Sequence, residues 1–132
     1  MDHDNLIVTA IDTAPLNRGL SGRDWLDTKG NVPVIIGGGD VALFDAEGDK
    51  IYQVHFLFVS RGRAAIAAAK ESFRIMFERY GAELIFGMVP TFRRDVALIA
   101  RWAGGKFVGK RETPEGDCDL YVLSKDMWKA AA

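Results

Sequence analysis

A chain of 132 residues, 48% hydrophobic and 27% charged, has the length and make-up of one globular domain, with disorder expected only at its ends. Its 17 basic and 18 acidic side chains leave a formal net charge of -1, which argues against a global positive field for nucleic acid or an anionic membrane. A single cysteine, Cys118, excludes an internal disulfide and a multi-cysteine zinc site.

The first segment, Leu6 to Ile11, is apolar and β-prone, which favours a strand, and Pro15, Gly19 and Gly22 break it. Ser21 followed three residues later by Asp24 has the form of a helix cap and predicts a short helix through Trp25 and Leu26. Val34 to Ile36 and Val41 to Phe44, separated by Gly37-Gly38-Gly39-Asp40, read as a hairpin. A second turn, Asp45 to Asp49, leads into the longest strand, Ile51 to Val59. Alternation puts Ile51, Gln53, His55, Leu57 and Val59 on one face, with Tyr52, Val54, Phe56 and Phe58 on the other. Both faces are largely apolar, as in a central strand, so Gln53 and His55 need a reason to be there.

The period then changes. Ile66, Ala69, Phe73, Met76 and Tyr80 recur at spacings of three and four and predict an amphipathic helix that Gly81 ends. Ala82 to Val89 is a nearly continuous apolar run, suited to a buried strand, and Pro90 stops it. Strand, helix, strand implies a parallel crossover. A second helix is expected over Arg94 to Ala103, with Val96, Ile99 and Ala103 inward and Gly104-Gly105 at its end. Two strands, Phe107 to Glu112 and Leu120 to Ser124, then flank the turn Thr113 to Asp117. The fold class is a mixed α/β sheet in one domain, 1–132, with 32–124 as its core and a weakly patterned stretch before it.

At Ser60-Arg61-Gly62-Arg63-Ala64-Ala65 the long strand passes straight into the helix. A helix start offers unpaired N–H groups and a positive dipole end to an anion; Gly62 permits unusual backbone angles, Ala64 and Ala65 admit a close ligand, and Arg61 and Arg63 add charge. The competing reading is a solvated basic helix start, although basic residues there oppose the helix dipole. The segment is neither a Walker loop nor a dinucleotide fingerprint.

The succession of antiparallel strands, the strand ending His55-Phe56-Leu57-Phe58-Val59, the turn Arg61-Gly62-Arg63-Ala64, a helix, the strand through Phe86-Gly87-Met88-Val89-Pro90, a second helix and Gly105 to Gly109 resembles the GNAT superfamily of N-acetyltransferases. It is similar above all to the small members encoded by bacteriophages and prophages. The resemblance implies acetyl-CoA as co-substrate, its pyrophosphate held by Arg61, Gly62, Arg63, Ala64 and Ala65 and its pantetheine arm flanked by Phe58 and Val59. It departs from the family pattern at Ala64, at Ile66 and at Arg93, which stands where many relatives carry asparagine and could itself reach a phosphate. The tyrosine that often protonates the departing thiolate is missing from Ala97 to Ala103, and Trp102, a poor acid, reads as core.

Acetyl transfer needs a neutral amine, and histidine is the side chain that titrates near neutral pH. His55, in the run Tyr52-Gln53-Val54-His55 that resembles phage-type relatives, is the candidate base, with Gln53 orienting substrate or water. Its alternative is a satisfied interior histidine. Cys118, between Asp117 and Asp119, is disfavoured as a thiolate and reads as a residue at a strand's edge. The carboxylates of Asp45 to Asp49 read as a solvated hairpin tip, and no metal is expected.

The expected function is transfer of acetyl from acetyl-CoA to a primary amine, on a small molecule or a protein, by direct transfer in a ternary complex. The alternatives are a catalytically impaired GNAT-like module serving phage assembly, or an unrelated α/β nucleotide binder. No nucleic acid or membrane partner is expected, and a homodimer is compatible with the pattern. No apolar run approaches the ~20 residues of a membrane span, and the first residues lack a basic secretion signal, so the expected location is the bacterial or infected-host cytoplasm.

Overall fold

The structure, a computed structural model, describes residues 3–14 and 21–131. Five helices, α1 (His3–Asp12), α2 (Gly22–Asp27), α3 (Gly62–Arg79), α4 (Arg94–Trp102) and α5 (Lys125–Ala131), surround six strands. The strands are β1 (Val32–Ile36), β2 (Asp40–Gly48), β3 (Ile51–Leu57), β4 (Leu84–Pro90), β5 (Lys106–Thr113) and β6 (Gly116–Ser124), in one sheet of order β1-β2-β3-β4-β6-β5. Neighbours run antiparallel except β3 and β4, the parallel pair that α3 connects.

Each face of the sheet has its own core. On the α3 face, Ala42, Phe44, Ile85 and Leu123 pack against Ala69, Phe73, Met76 and Phe77, with Val54 and Phe56 at the margin. On the α1 face, Val41 and Leu43 meet Ile7, Ile11 and Trp25. Each large side chain so buried contributes about 1.5–3 kcal/mol.

The segment Leu6 to Ile11 is helical, contrary to the β-prone reading. Ile7 and Ile11, four apart, fall on one side of α1 and are buried against Trp25, Val41 and Leu43. That burial outweighs the few tenths of a kcal/mol by which Ile and Val disfavour a helix. The break at Pro15 and Gly19 lies outside the described residues. Ser21 caps α2, its Oγ accepting from Asp24 N at 3.3 Å. Gly22 is where α1 and α2 touch: a Cβ there would stand 2.6 Å from the Val8 carbonyl oxygen, so no other residue fits without shifting a helix.

Further differences shape the site. β2 runs on to Gly48 and turns through Asp49 and Lys50, which places Asp45 inside a strand rather than in a turn. The buried stripe of α3 is Ala65, Ala69, Phe73, Met76 and Phe77, while Tyr80 is exposed at the helix end. Trp102, expected in the core, is 65% exposed. The buried edge of α4 is Ala100 with Val96 and Ala97, against Val89 and Tyr121, and a residue two positions after Ala100 is turned to the far side. Cys118 lies inside β6, buried and paired with Pro90 and Arg111. α5, unmarked in the sequence reading, packs Trp128 on Phe77 with ring centroids 5.0 Å apart. No described helix is long and apolar enough to cross a membrane.

Candidate active site

β3 and β4 are paired only where they begin: Ile51 with Leu84, Tyr52 with Ile85, Gln53 with Phe86. Beyond that point β3 stays with β2 as far as Leu57, and β4 stays with β6 as far as Pro90. The strands therefore part. A cavity of about 1020 Å³ occupies the gap and is lined from both sides, by Phe56, Phe58 and Val96 on the α3 face and by Gln53, His55 and Leu57 on the α1 face. The opening passes through the sheet, and the backbone edges it exposes must find partners in water or a ligand.

At the α3 end of the gap the chain turns from β3 into the helix. Arg61 is the N-cap, extended at φ -128°, and no side chain caps the amides that follow. Gly62 opens α3 at φ +57°, a left-handed angle that favours glycine, and nothing stands within 4 Å of where its Cβ would be. The space beside the first turn is open. Arg61, Arg63 and Ala64 are exposed and Ala65 is buried. Among the described residues neither arginine has an ion-pair partner.

Asp40, 2% exposed at the start of β2, accepts from Val59 N at 2.8 Å and Ser60 N at 2.9 Å through one oxygen, Oδ1. These two amides are thus taken, and those left for an anion begin at the N-cap. Asp40 also puts a carboxylate next to that turn, which the charges of Arg61 and Arg63 offset. Arg93, the N-cap of α4, grips Asp95 with Nε and one terminal nitrogen, each 3.1 Å from a carboxylate oxygen. That contact raises the arginine pKa and lowers the carboxyl pKa, burial opposing both.

On the α1 face, His55 Nε2 lies 2.9 Å from Asp45 Oδ2, and Trp25 Nε1 donates to Asp45 Oδ1 at 2.5 Å. Partial burial pushes the Asp45 carboxyl up, but the His55 hydrogen bond and charge, with the Trp25 donor, together hold it below its ordinary value. Ionised at neutral pH, Asp45 can only accept. His55 Nε2 therefore carries the proton, and the lone pair of a neutral ring sits on Nδ1. Trp25 is held in turn: Asn31 Nδ2 donates to its carbonyl oxygen at 3.1 Å, and Asn31 Oδ1 accepts from Ala46 N at 3.0 Å.

Of the residues singled out in the sequence, Gln53, His55, Phe58, Val59, Arg61 and Arg93 line the one cavity. Gly62, Arg63, Ala64 and Ala65 stand beside it in the first turn of α3. Asp45 and Tyr121, two polar residues that also line it, were not singled out. A bulge hides Asp45 from sequence reasoning: regular pairing outward from Gly48 and Ile51 would set it opposite Val54, whereas the register shift between Ala46 and Gly48 sets it opposite Gln53 and so on the face of His55. Among the described residues no group of three or more His, Cys, Asp or Glu is placed to hold a metal ion.

No family model and no curated protein matches the chain in sequence. Solved structures do match its shape. An aminoglycoside acetyltransferase, AAC(6')-Ib, in complex with coenzyme A superposes with a TM-score of 0.65 at 14% identity, over 80% of this chain and 72% of that one. A GNAT-family acetyltransferase from Bacillus anthracis gives 0.62 at 16% identity, over 80% and 74%. The fold is that of the GNAT acetyltransferases. A spermidine N-acetyltransferase chimera from Vibrio cholerae and hSSAT superposes with a TM-score of 0.61 at 8% identity, over 68% of this chain and 61% of that one.

Proposed function

We propose that the protein is an acetyl-CoA-dependent N-acetyltransferase that passes acetyl directly to an amine in a ternary complex. The observation that carries this reading is the parting of β3 and β4 beside an uncapped, glycine-led helix start, with an oriented histidine on the opposite side of the gap. Relatives in fold support the co-substrate, since AAC(6')-Ib was solved with coenzyme A and kanamycin.

Acetyl-CoA, when bound, supplies a thioester carbonyl as electrophile. The residues present fit it. The free amides of Arg61 to Ala64, with the Arg61 and Arg63 side chains and the small Ala65 beside them, receive the diphosphate at the dipole end of α3, and Arg93 adds charge from across the gap. The open edge of β3 pairs with the pantetheine amides while Phe58 and Val59 flank them. On the far side His55 takes a proton from the incoming amine on Nδ1, and the resulting imidazolium is stabilised by Asp45. Gln53, opposite Asp45 in register, orients the amine. Tyr121, the only phenol lining the cavity among the described residues, stands across β4 from the gap, opposite Gly87, and serves as proton donor to the departing thiolate.

Isothermal titration with acetyl-CoA tests the reading. Saturable binding is expected, accompanied by release of free thiol when amines are added. No binding at millimolar acetyl-CoA would overturn it.

A further inference from the structure

Among the described residues, the α1 face of the sheet is covered over β2 but not over β4 and β6. α1 and α2 pack on Val41 and Leu43, whereas Leu84, Phe86, Met88, Leu120 and Val122 belong to none of the core clusters. Register puts these five side chains on the face that carries Gln53 and His55, because Phe86 pairs with Gln53 and Val122 pairs with Phe86. They are half-buried and line a shallow groove of about 450 Å³ that shares Phe86, Met88 and Val122 with the through-sheet cavity. One register row crosses the whole site: Asp45, Gln53, Phe86, Val122, Lys106. It runs from the carboxylate behind His55, over apolar ground, to a cation.

Charge at the far end narrows what can lie there. Arg111 and Glu112, one cation and one carboxylate, line the groove, and Lys106, outside its lining, ends the row, so a second ammonium finds no net negative charge there. Asp45, at the near end, is already engaged by His55 and Trp25. A polycation laid along this row would desolvate its further ammonium groups against apolar side chains and meet like charge at the end. A single amine on an apolar body meets neither cost.

We infer that the acceptor is a hydrophobic monoamine, its nitrogen at His55 and its apolar body along Phe86, Met88, Leu120 and Val122, rather than a polycation. This rests on the transfer reading and names its substrate class. It sets the chain apart from its neighbours in fold, whose names specify an aminoglycoside and spermidine.

The test is free-thiol release from acetyl-CoA by the full chain with butylamine, pentylamine and hexylamine against spermidine and kanamycin. The ratio kcat/KM should rise about three- to fourfold for each added methylene, the gain expected from burying one CH2. Hexylamine should exceed both polycations by at least about tenfold, the factor that two such steps supply. Leu120→Glu should flatten the series while its acetyl-CoA titration matches wild type, which also shows that the variant is folded. If that variant does not fold, Val122→Thr, nearly the same in shape, should still reduce the increment per methylene. With acetyl-CoA bound, a flat series or turnover of spermidine equal to that of hexylamine overturns the inference alone. Failure of acetyl-CoA to bind overturns the transfer reading and this inference together.

Discussion

Where β3 and β4 begin they form a closed parallel ladder, with Ile85 1% exposed beneath α3. Three residues later the same strands stand apart around a cavity. The side chains do not explain this, since Val54 and Phe56 are as apolar as Ile51 and Tyr52. β2 and β6 accompany β3 and β4 through both ends; what differs is that β3 runs on into a corner that the Asp40 carboxylate fastens through Val59 N and Ser60 N. The closed end is built for stability and the open end for a ligand, so substitutions at the two ends should separate cleanly.

The largest effect belongs to the open end. His55→Ala should lower kcat by about 10²- to 10⁴-fold, the usual contribution of a positioned base, and leave the acetyl-CoA dissociation constant within about twofold. Equal losses in turnover and cofactor affinity would place His55 outside the chemistry. At the closed end Ile85→Ala should cost about 2–4 kcal/mol in a urea unfolding curve, the price of a large buried aliphatic side chain. A near-zero change there would mean that the ladder is not a supporting element.

Arg61→Glu should weaken acetyl-CoA binding about tenfold, by replacing an attracting charge with a repelling one at the helix start, with little change in unfolding midpoint. The smallest effect is on pH dependence. The Asp45 carboxyl lies below its ordinary value in the folded chain, so its contribution to stability is complete above the usual aspartate range and disappears as pH falls through the lower, folded value. Urea midpoints measured from pH 6 down to pH 3 should therefore drop more steeply for the wild type than for Asp45→Asn, and parallel curves would contradict the assignment.

Much of this arrangement can be read from residues alone, and the exceptions share a cause. The turn from period two to periods of three and four at Ile66 marks α3, and Gly104-Gly105 marks the end of α4, because repeating burial and chain reversal leave local traces. Ile7-Val8 reads as strand because a six-residue apolar run is ambiguous, and only the burial of Ile7 with Ile11 against Trp25 decides for helix. Trp102 reads as core by its hydrophobicity, yet only the seating of Ala100 on Val89 and Tyr121 determines which side of α4 faces inward. Asp45 reads as a loop carboxylate because the turn begins four residues later than its composition suggests, at Asp49.

Asp40 carries one more implication. By gripping Val59 N and Ser60 N from the start of β2, a buried carboxylate fastens the corner before any ligand arrives. Hydrogen–deuterium exchange at those two amides should be slow in the empty chain and indifferent to acetyl-CoA, whereas the amides of Arg63 and Ala64 should gain protection on loading. Little ordering entropy is then lost at that corner on association.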